Sequence, residues 1–286
     1  MMSATDYEKI EAPSDERIKE LVQKHNMIIF TCSYYNDTND LRLHQCLKTL
    51  RDPIYGSTNI PIVVVDGSPP DVHELLRSTS GAIVRKEQKT YGKGKGGALR
   101  EAAMVASTLP GVLESTLLCW QEAEKSDMNR CWVKEVLAQC ETSDDVICPA
   151  REENCFRHSY PIEQYHSECY GNYYLNAIMK RETEKIDDSY LVSCIDWHFG
   201  PFAFRNHLLN LWLDYKGTSY DAQLIPIVAA IRRGHQVNGS IKVTFKLDKK
   251  MKLQEEGCLD FIEKRLHQLN DLDPKVKQFW KDPLYF

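Results

Sequence analysis

The segment IPIVVVDGSPP, residues 60–70, decides the fold class of this chain. Its isoleucines and valines, interrupted by a single proline, are typical of a strand that is buried on both faces of a parallel sheet. The apolar run ends at Asp66-Gly67-Ser68 and two prolines, a combination that predicts a turn. The residues that follow, VHELLRSTS (72–80), have a helical pattern. The segment therefore predicts a strand followed by a helix.

The same alternation of strand and helix recurs through the first half of the chain. Further strands are predicted at MIIFTCS (27–33), GAIVRKE (81–87), TLLCWQ (116–121) and DDVICPA (144–150). Further helices are predicted at DLRLHQCLKTLRD (40–52), ALREAAMVAST (98–108) and MNRCWVKEVLAQC (128–140). Such alternation predicts βαβ units, and hence an α/β fold with a mainly parallel, Rossmann-like sheet flanked by helices.

The second half of the chain is less regular. Residues 151–176 are rich in Tyr and His and show no clean period. Helices are predicted at LLNLWLDY (208–215), YDAQLIPIVAAIRRG (220–234) and CLDFIEKRLHQL (258–269), and a weak strand at HQVNGSIKVTFKL (235–247). This organisation predicts one domain that ends in a helical tail.

Composition excludes several classes of protein. The chain has 286 residues, a net charge of -5, 42% hydrophobic residues and 27% charged residues. The negative charge disfavours a general nucleic-acid surface. No apolar run reaches the roughly 18 residues of a membrane span, and the N-terminus lacks the apolar core of a signal peptide. We therefore expect a cytoplasmic protein with no nucleic-acid partner and no transmembrane segment.

The ten cysteines include no C-x-x-C pair, and several of them lie inside apolar runs. This placement favours buried, reduced thiols over disulfides or a zinc site.

Polar residues follow four of the predicted strands. These endings read TCSYYND, DGSPP, YGKGKGG and QEAEKSD. Ligands of open parallel sheets bind at the carboxyl ends of the strands, so the endings predict a ligand site. In the last of them, Glu122 and Glu124 are only one residue apart. Two carboxylates so close repel each other unless they are solvated, paired with a cation such as Lys125, or holding a metal.

The glycine pattern Gly92-x-Gly94-x-x-Gly97 resembles a dinucleotide fingerprint only as a string. It follows the third strand through a polar linker, whereas the fingerprint follows the first strand directly. It is not a P-loop either, because no Gly-Lys-Ser/Thr closes it. Two interpretations remain open. Lys93 and Lys95 neutralise a diphosphate beside a helix N-terminus, or the loop is simply solvated.

The order of these elements resembles the family-2 glycosyltransferases of the GT-A fold, the group to which dolichol-phosphate-mannose synthase belongs. Four segments carry the resemblance, in the order in which the family has them. They are Asn36-Asp37 for Asn-Glu, Asp66-Gly67-Ser68 for Val-Asp-Asp-Gly-Ser with one aspartate missing, Gly94 to Arg100 for Gly-x-x-x-Ala, and Glu122-x-Glu124 for Asp-x-Asp. Two segments of the second half add to it. Gly200 to Arg205 resembles the acceptor-side strand of the family, and Tyr220-Asp221 resembles its Glu-Asp segment at the start of a helix near the acceptor. The resemblance covers roughly residues 26 to 245.

The resemblance implies a transferase that moves a hexose from a UDP- or GDP-linked sugar to an acceptor hydroxyl, assisted by Mg²⁺ or Mn²⁺. The acceptor could be a small molecule, a lipid-linked molecule or a protein. It implies a GT-A domain at 26–245, with a nucleotide-sugar-binding half at 26–150 and an acceptor half at 151–245. An N-terminal extension at 1–25 and a helical tail at 246–286 flank that domain.

The resemblance also assigns residues. It assigns nucleotide-sugar binding to Thr31, Ser33, Tyr34, Asn36, Asp66, Lys93, Lys95 and Glu122. It assigns metal binding to Glu122, Glu124 and His198. Asp221 is the candidate general base, with Asp196 as its rival.

Each assignment has an alternative. Asp221 could be a helix N-cap, and His198 a core histidine. The two glutamates and the missing aspartate leave open a non-catalytic nucleotide- or sugar-binding relative. A nicotinamide-dependent oxidoreductase is disfavoured by the position of the glycine loop.

Overall fold

A computed structural model describes residues 7–51, 60–124, 132–139, 144–183 and 194–281. The chain forms two compact units. The first comprises Met1–Thr142 and Pro201–Ser219, and the second comprises Ser143–Gly200 and Tyr220–Phe286. The domain boundaries inferred from the sequence stay predictions.

The first unit contributes five strands to a mainly parallel sheet. They are β1 Met27–Ser33, β2 Ile62–Asp66, β3 Ile83–Lys86, β4 Leu117–Trp120 and β7 Phe202–Arg205. Their order across the sheet is β3-β2-β1-β4-β7. The first four pair in parallel, and β7 pairs antiparallel with β4. β2 is buried along its whole length and β1 along nearly all of it, as strands covered on both faces require.

Helices flank these strands. They are α1 Asp15–His25, α2 Leu41–Leu50, α3 Pro70–Thr79, α4 Gly94–Ser107, α5 Lys134–Gln139 and α8 Leu209–Asp214. α4 packs across β1 and β2 and also contacts β4. Its alanine-rich sequence lets it lie close to the strands, with nine buried residues in fourteen. The N-terminus of α4 thus lies at the carboxyl edge of these strands.

The second unit contains short strands and long helices. Its strands are β5 Val146–Ile147, β6 Ala150–Arg151, β8 Val237–Asn238 and β9 Lys242–Val243. Its helices are α6 Glu153–Ser159, α7 Ile162–Thr183, α9 Asp221–Arg232, α10 Lys249–Glu255 and α11 Leu259–Lys281. β5 pairs in parallel with β8, and β6 with β9. α11 packs against both α7 and α9.

The structure confirms the α/β class and the mainly parallel sheet. Several local predictions differ from it. The segment predicted as one weak strand at 235–247 forms two short strands, β8 and β9. DDVICPA forms two short strands, β5 and β6, because Pro149 between them has no N–H to donate to a partner strand. The segment without a clean period contains α6 and most of α7.

Two further findings concern the described residues. None of their cysteines forms a disulfide. None of their helices is long and apolar enough to cross a membrane.

Candidate functional site

A pocket of about 490 Å³ lies at the carboxyl ends of β1, β2, β3 and β4 in the first unit. After β1 it is lined by Ser33 and Tyr34, and after β2 by Gly67. Glu87 and Lys89 line it after β3. Four strand ends therefore meet in one cavity, as the rule for parallel sheets predicts.

The N-terminus of α4 forms another wall of this pocket, through Lys93, Gly94 and Lys95. Gly94 has a φ of +69°, and an added Cβ would lie 2.6 Å from the carbonyl oxygen of Thr218. At Gly97 an added Cβ would lie 2.3 Å from the carbonyl oxygen of Gly92. The turn therefore needs glycine at both positions. It delivers two lysines and a helix N-terminus, which together favour an anion.

Arg100 holds this loop from behind. Its side chain is buried and donates hydrogen bonds to the carbonyl oxygens of Tyr91 (3.0 Å), Tyr215 (2.8 Å) and Gly217 (2.7 Å). The backbone N–H of Gly96 also donates to the Thr218 carbonyl oxygen, at 3.1 Å. The glycine loop and residues 215–218 are thus held together by the Arg100 side chain and by a main-chain hydrogen bond.

Glu122 and Glu124 line the pocket after β4. Lys95 Nζ lies 2.9 Å from Glu122 Oε1. The Tyr35 hydroxyl donates to Glu124 Oε1 at 3.3 Å. Burial raises the pKa of Glu124, and the charge of Glu122 raises it further, against the opposing charges of Lys95 and Arg42. The repulsion expected from the sequence is therefore present, and Lys95 relieves it only in part. The other cation considered, Lys125, lies outside the described residues.

The two carboxylates fit a hard divalent cation by their chemistry. Mg²⁺ is usually held by one or two carboxylates together with substrate phosphates. A cation beside Glu124 would also favour its ionised form. Binding would require Glu122 either to share its oxygens between the metal and Lys95 or to release Lys95.

Asp66 lies outside the pocket lining and is fully buried. Its Oδ1 accepts hydrogen bonds from the Ser33 hydroxyl (2.9 Å) and from the N–H and hydroxyl of Ser68 (3.3 and 2.5 Å). Its Oδ2 lies 2.9 Å from His73 Nδ1. These contacts engage both oxygens, which favours a role in positioning the ends of β1 and β2.

Asp196 lies in the second unit, in a buried ion pair. Arg151 Nε and Nη2 donate to its two oxygens at 2.8 and 2.7 Å, and Asn172 Nδ2 donates to Oδ1 at 2.7 Å. Burial alone would raise the pKa of Asp196, but the charge and hydrogen bonds of Arg151 outweigh it and lower the pKa. A buried carboxylate that holds its negative charge so firmly is a poor proton acceptor.

Asp221 is the first residue of α9 and is 3% exposed, and the N-cap position belongs to Tyr220. Lys275 Nζ of α11 lies 2.9 Å from Asp221 Oδ2. The carboxylate is therefore paired with a lysine that is itself one-third exposed.

His198 is buried in the second unit. Its Nε2 has no hydrogen-bond partner among the described residues and would lie 2.4 Å from a Cβ added to Gly171. The ring stacks on Tyr220 at 6.1 Å. Burial lowers the pKa of His198, so the imidazole is neutral at pH 7. These surroundings are those of a core histidine.

The predicted site residues thus fall into three groups. Those that line the pocket are Ser33, Tyr34, Lys93, Lys95, Glu122 and Glu124. Those in the first unit outside the lining are Thr31, Asn36 and Asp66. Those in the second unit are Asp196, His198 and Asp221. Their assigned roles in binding and catalysis stay predictions.

Sequence reasoning missed Glu87, Lys89 and Trp120, which also line the pocket. For Glu87 and Lys89 a signal existed, because both follow the strand segment GAIVRK. For Trp120 there was none, since a tryptophan inside a strand is usually core.

Comparisons with known proteins give the fold but no family. No protein-family model matches the chain, and no curated protein sequence matches it. The fold is similar to that of glucosyl-3-phosphoglycerate synthase from Mycobacterium tuberculosis, with a TM-score of 0.53 and 10% identity. That match covers 94% of this chain and 88% of that chain.

Two other solved structures are similar at lower scores. One is glucosyl-3-phosphoglycerate synthase from the same organism in complex with Mn²⁺, UDP and phosphoglyceric acid (TM-score 0.48, 10% identity, 92% of this chain and 86% of that chain). The other is a mycobacterial protein (TM-score 0.49, 15% identity, 83% and 74%). Scores below 0.5 carry no argument, and identities this low speak only for the fold. The first match, at 0.53, accords with the GT-A-like α/β fold predicted from the sequence.

Proposed function

We propose that this chain is a nucleotide-sugar-dependent glycosyltransferase of the family-2 type. It moves a hexose from a nucleoside-diphosphate sugar to an acceptor hydroxyl. The observation that carries the proposal is the composition of the pocket in the first unit. One wall offers Lys93, Lys95 and a helix N-terminus, and another offers two carboxylates after β4. A diphosphate together with a divalent cation complements both walls.

The pocket residues suggest a role for each part of the donor. Tyr34 is 61% exposed at the end of β1, where its ring is available to stack on a base. The lysines and the first N–H groups of α4 would bind the diphosphate. Lys95 would exchange its contact with Glu122 for one with a phosphate oxygen.

The divalent cation, Mg²⁺ or Mn²⁺, would be held by Glu122 and Glu124. When bound, such a cation stabilises the negative charge that develops on the departing diphosphate. The carboxylates would orient the cation, and the Tyr35 hydroxyl, which donates to Glu124, holds one of them.

For the general base we favour Asp221 over Asp196. The base removes the proton of the acceptor hydroxyl as that oxygen attacks the anomeric carbon. Asp196 is engaged by Arg151 and Asn172, whereas Asp221 pairs with Lys275, a half-buried lysine side chain that can move away. Asp221→Asn should abolish transfer without preventing donor binding.

Thermal melting with UDP and with GDP, each with and without Mn²⁺, tests the proposal. A ligand at 100 times its dissociation constant stabilises a protein by about 2.7 kcal/mol. One nucleotide should therefore raise the melting temperature, and Mn²⁺ should add to the effect. Hydrolysis of a panel of sugar nucleotides, with and without EDTA, then identifies the sugar. A protein that neither binds a nucleotide nor hydrolyses any sugar nucleotide is not a transferase of this kind.

A non-catalytic nucleotide- or sugar-binding protein is the second candidate. The 2.9 Å contact between Lys95 and Glu122 favours it, because a lysine already neutralises one of the two carboxylates. If the chain is such a binding protein, Mn²⁺ should not change its affinity for the nucleotide. It should also hydrolyse no sugar nucleotide.

A further inference from the structure

Glu87 lines the pocket at the carboxyl end of β3, and no feature of the proposed reaction uses it. Among the described residues, none donates a hydrogen bond to its carboxylate or pairs with it as an ion. The neighbouring cation, Lys86, is directed elsewhere, since its Nζ donates to the carbonyl oxygen of Ser68. Burial raises the pKa of Glu87, and Lys89 opposes that shift only in part. The carboxylate therefore has no donor from the part of the chain that the structure describes.

The backbone fixes the position of Glu87. Its N–H donates to the Asp66 carbonyl oxygen at 2.9 Å, and the next N–H, of Gln88, donates to Glu101 Oε1 at 2.7 Å. The side chain lies over the end of β2, where Glu87 Oε2 and Tyr34 Cδ2 are 2.7 and 3.4 Å from the place of a Cβ on Gly67. Glycine at this position therefore makes room for the carboxylate beside the exposed tyrosine ring.

The strand order separates Glu87 from the acids after β4. Strands β3 and β4 have β2 and β1 between them, which amounts to three strand spacings, or about 14 Å. An extended nucleoside diphosphate has about this length from the edge of its base to its terminal phosphate. If the phosphates lie at Lys95 and the Glu122–Glu124 pair, the base lies at the Tyr34–Glu87 end.

We propose that Glu87 reads the nucleobase of the donor and selects guanine. The proposal rests on the function proposed above and narrows the donor to a guanosine-diphosphate sugar. A carboxylate accepts two parallel hydrogen bonds from the N1–H and the exocyclic amino group of guanine. Uracil offers a single N–H between two carbonyl oxygens, which the carboxylate repels. A bidentate pair discriminates between bases by about 1–3 kcal/mol, and 1.4 kcal/mol is tenfold in affinity.

Titration calorimetry with the full chain and free nucleoside diphosphates, at fixed Mn²⁺ and salt concentrations, tests the proposal. Wild-type protein should bind GDP at least tenfold more tightly than UDP. IDP, which is GDP without the exocyclic amino group, should bind several-fold more weakly than GDP. Glu87→Gln keeps the shape and removes the second good acceptor, so the preference for GDP over IDP and UDP should fall to within threefold.

Glu114→Gln is the control. Glu114 is an exposed carboxylate that precedes the amino end of β4, away from the strand ends that form the pocket. It should keep the wild-type preference.

The outcomes separate the two proposals. Equal binding of GDP and UDP by the wild type, or tighter binding of UDP, overturns the role of Glu87 and leaves the transferase proposal intact. If Glu87→Gln keeps the wild-type preference for GDP, the role of Glu87 is likewise overturned, and another residue recognises the base. Failure of every nucleoside diphosphate to bind overturns both proposals. The comparison of GDP with IDP needs no variant, so a folding defect in Glu87→Gln cannot obscure the result.

Discussion

Two acids at strand ends in the first unit, Asp66 at the end of β2 and Glu124 after β4, show how the partners of a residue determine what it can do. Asp66 accepts hydrogen bonds from two serines and lies against a histidine, with no exposed surface. Glu124 Oε1 accepts a hydrogen bond of 3.3 Å from the Tyr35 hydroxyl. The Asp66 carboxylate uses both its oxygens in contacts within the fold, whereas the Glu124 carboxylate can still accept hydrogen bonds from a ligand.

Asp66→Ala should therefore destabilise the protein strongly. It leaves Ser33, Ser68 and His73 without their acceptor, and unsatisfied buried donors cost about 1–3 kcal/mol each. We expect a loss of about 3 kcal/mol in the free energy of unfolding, measured by urea titration. Asp71→Ala is the control, because Asp71 is exposed in the first turn of α3. If Asp66→Ala unfolds like the wild type but loses nucleotide binding, Asp66 belongs to the donor site instead.

Glu124→Gln should raise the melting temperature at pH 7 in the absence of metal. The folded-state pKa of Glu124 lies above its ordinary value of 4.5, so the fold favours the protonated form. The stability cost of the charge appears as pH rises above the ordinary value and is complete above the folded-state pKa. The variant and the wild type should therefore converge below about pH 4.

In Mn²⁺ the wild type should melt at a higher temperature than Glu124→Gln, because binding of the cation stabilises the wild type more than the variant. Melting curves at pH 7 and pH 4, with and without Mn²⁺, measure both effects. A variant that is no more stable than the wild type at pH 7 would show that Glu124 is already well compensated.

At the scale of elements, the strands were predictable and their contacts were not. Apolar runs such as MIIFTCS and IPIVVVD specify buried strands by composition alone, and the position of the pocket follows from where those strands end. The role of Asp66 could not be foreseen in this way. Its partner His73 lies on the following helix, and only the folded turn brings the imidazole ring and the carboxylate together.

Helix α7 was not predicted from the hydrophobic pattern, for a different reason. Its inward side carries polar residues at a spacing of four. They are Gln164, Glu168, Asn172 and Asn176. Glu168 accepts from Arg151 and Arg265, while Asn172 and Asn176 bind the segment at 195–198. A helical period was therefore present, but in amides and acids instead of apolar side chains.

The ion pairs of α7 predict a large effect for Arg151→Ala. Arg151 is buried between Asp196 and Glu168, so the variant leaves Asp196 as a buried carboxylate without its cation, while Glu168 keeps Arg265. Breaking such a pair costs about 3–5 kcal/mol in the free energy of unfolding. Because the pKa of Asp196 is lowered, its contribution is present above the ordinary value of 3.8 and is lost as pH falls through the folded-state pKa. The difference in the free energy of unfolding between the variant and the wild type should therefore become smaller below about pH 4.

Arg157→Ala provides the comparison in the same unit, since Arg157 is exposed on α6. Urea titrations of the wild type and both variants at pH 7 and at pH 3 measure the loss in the free energy of unfolding. An Arg151→Ala loss no larger than that of Arg157→Ala would mean that the carboxylates find other partners.

The glycine loop predicts a binding effect without a folding effect. Lys93→Ala combined with Lys95→Ala should weaken nucleoside-diphosphate binding at least tenfold, because each hydrogen bond to a charged group is worth about 1.5–3 kcal/mol. The loop itself is held by Arg100, so the fold should persist. Lys24→Ala combined with Lys48→Ala removes the same charge from exposed positions on α1 and α2. Equal affinity in the two double variants would exclude the loop as the phosphate site.

At the scale of the whole molecule, the division into two units allows one measurement to serve as its own control. The pocket belongs entirely to the first unit. GDP and Mn²⁺ should slow hydrogen exchange, measured by mass spectrometry, at residues 31–35 and 92–97, where the ligand would cover or order the backbone. Helix α11 in the second unit should change far less. Protection spread equally over both units would indicate general stabilisation, and protection of the second unit alone would place the nucleotide outside the pocket at the strand ends.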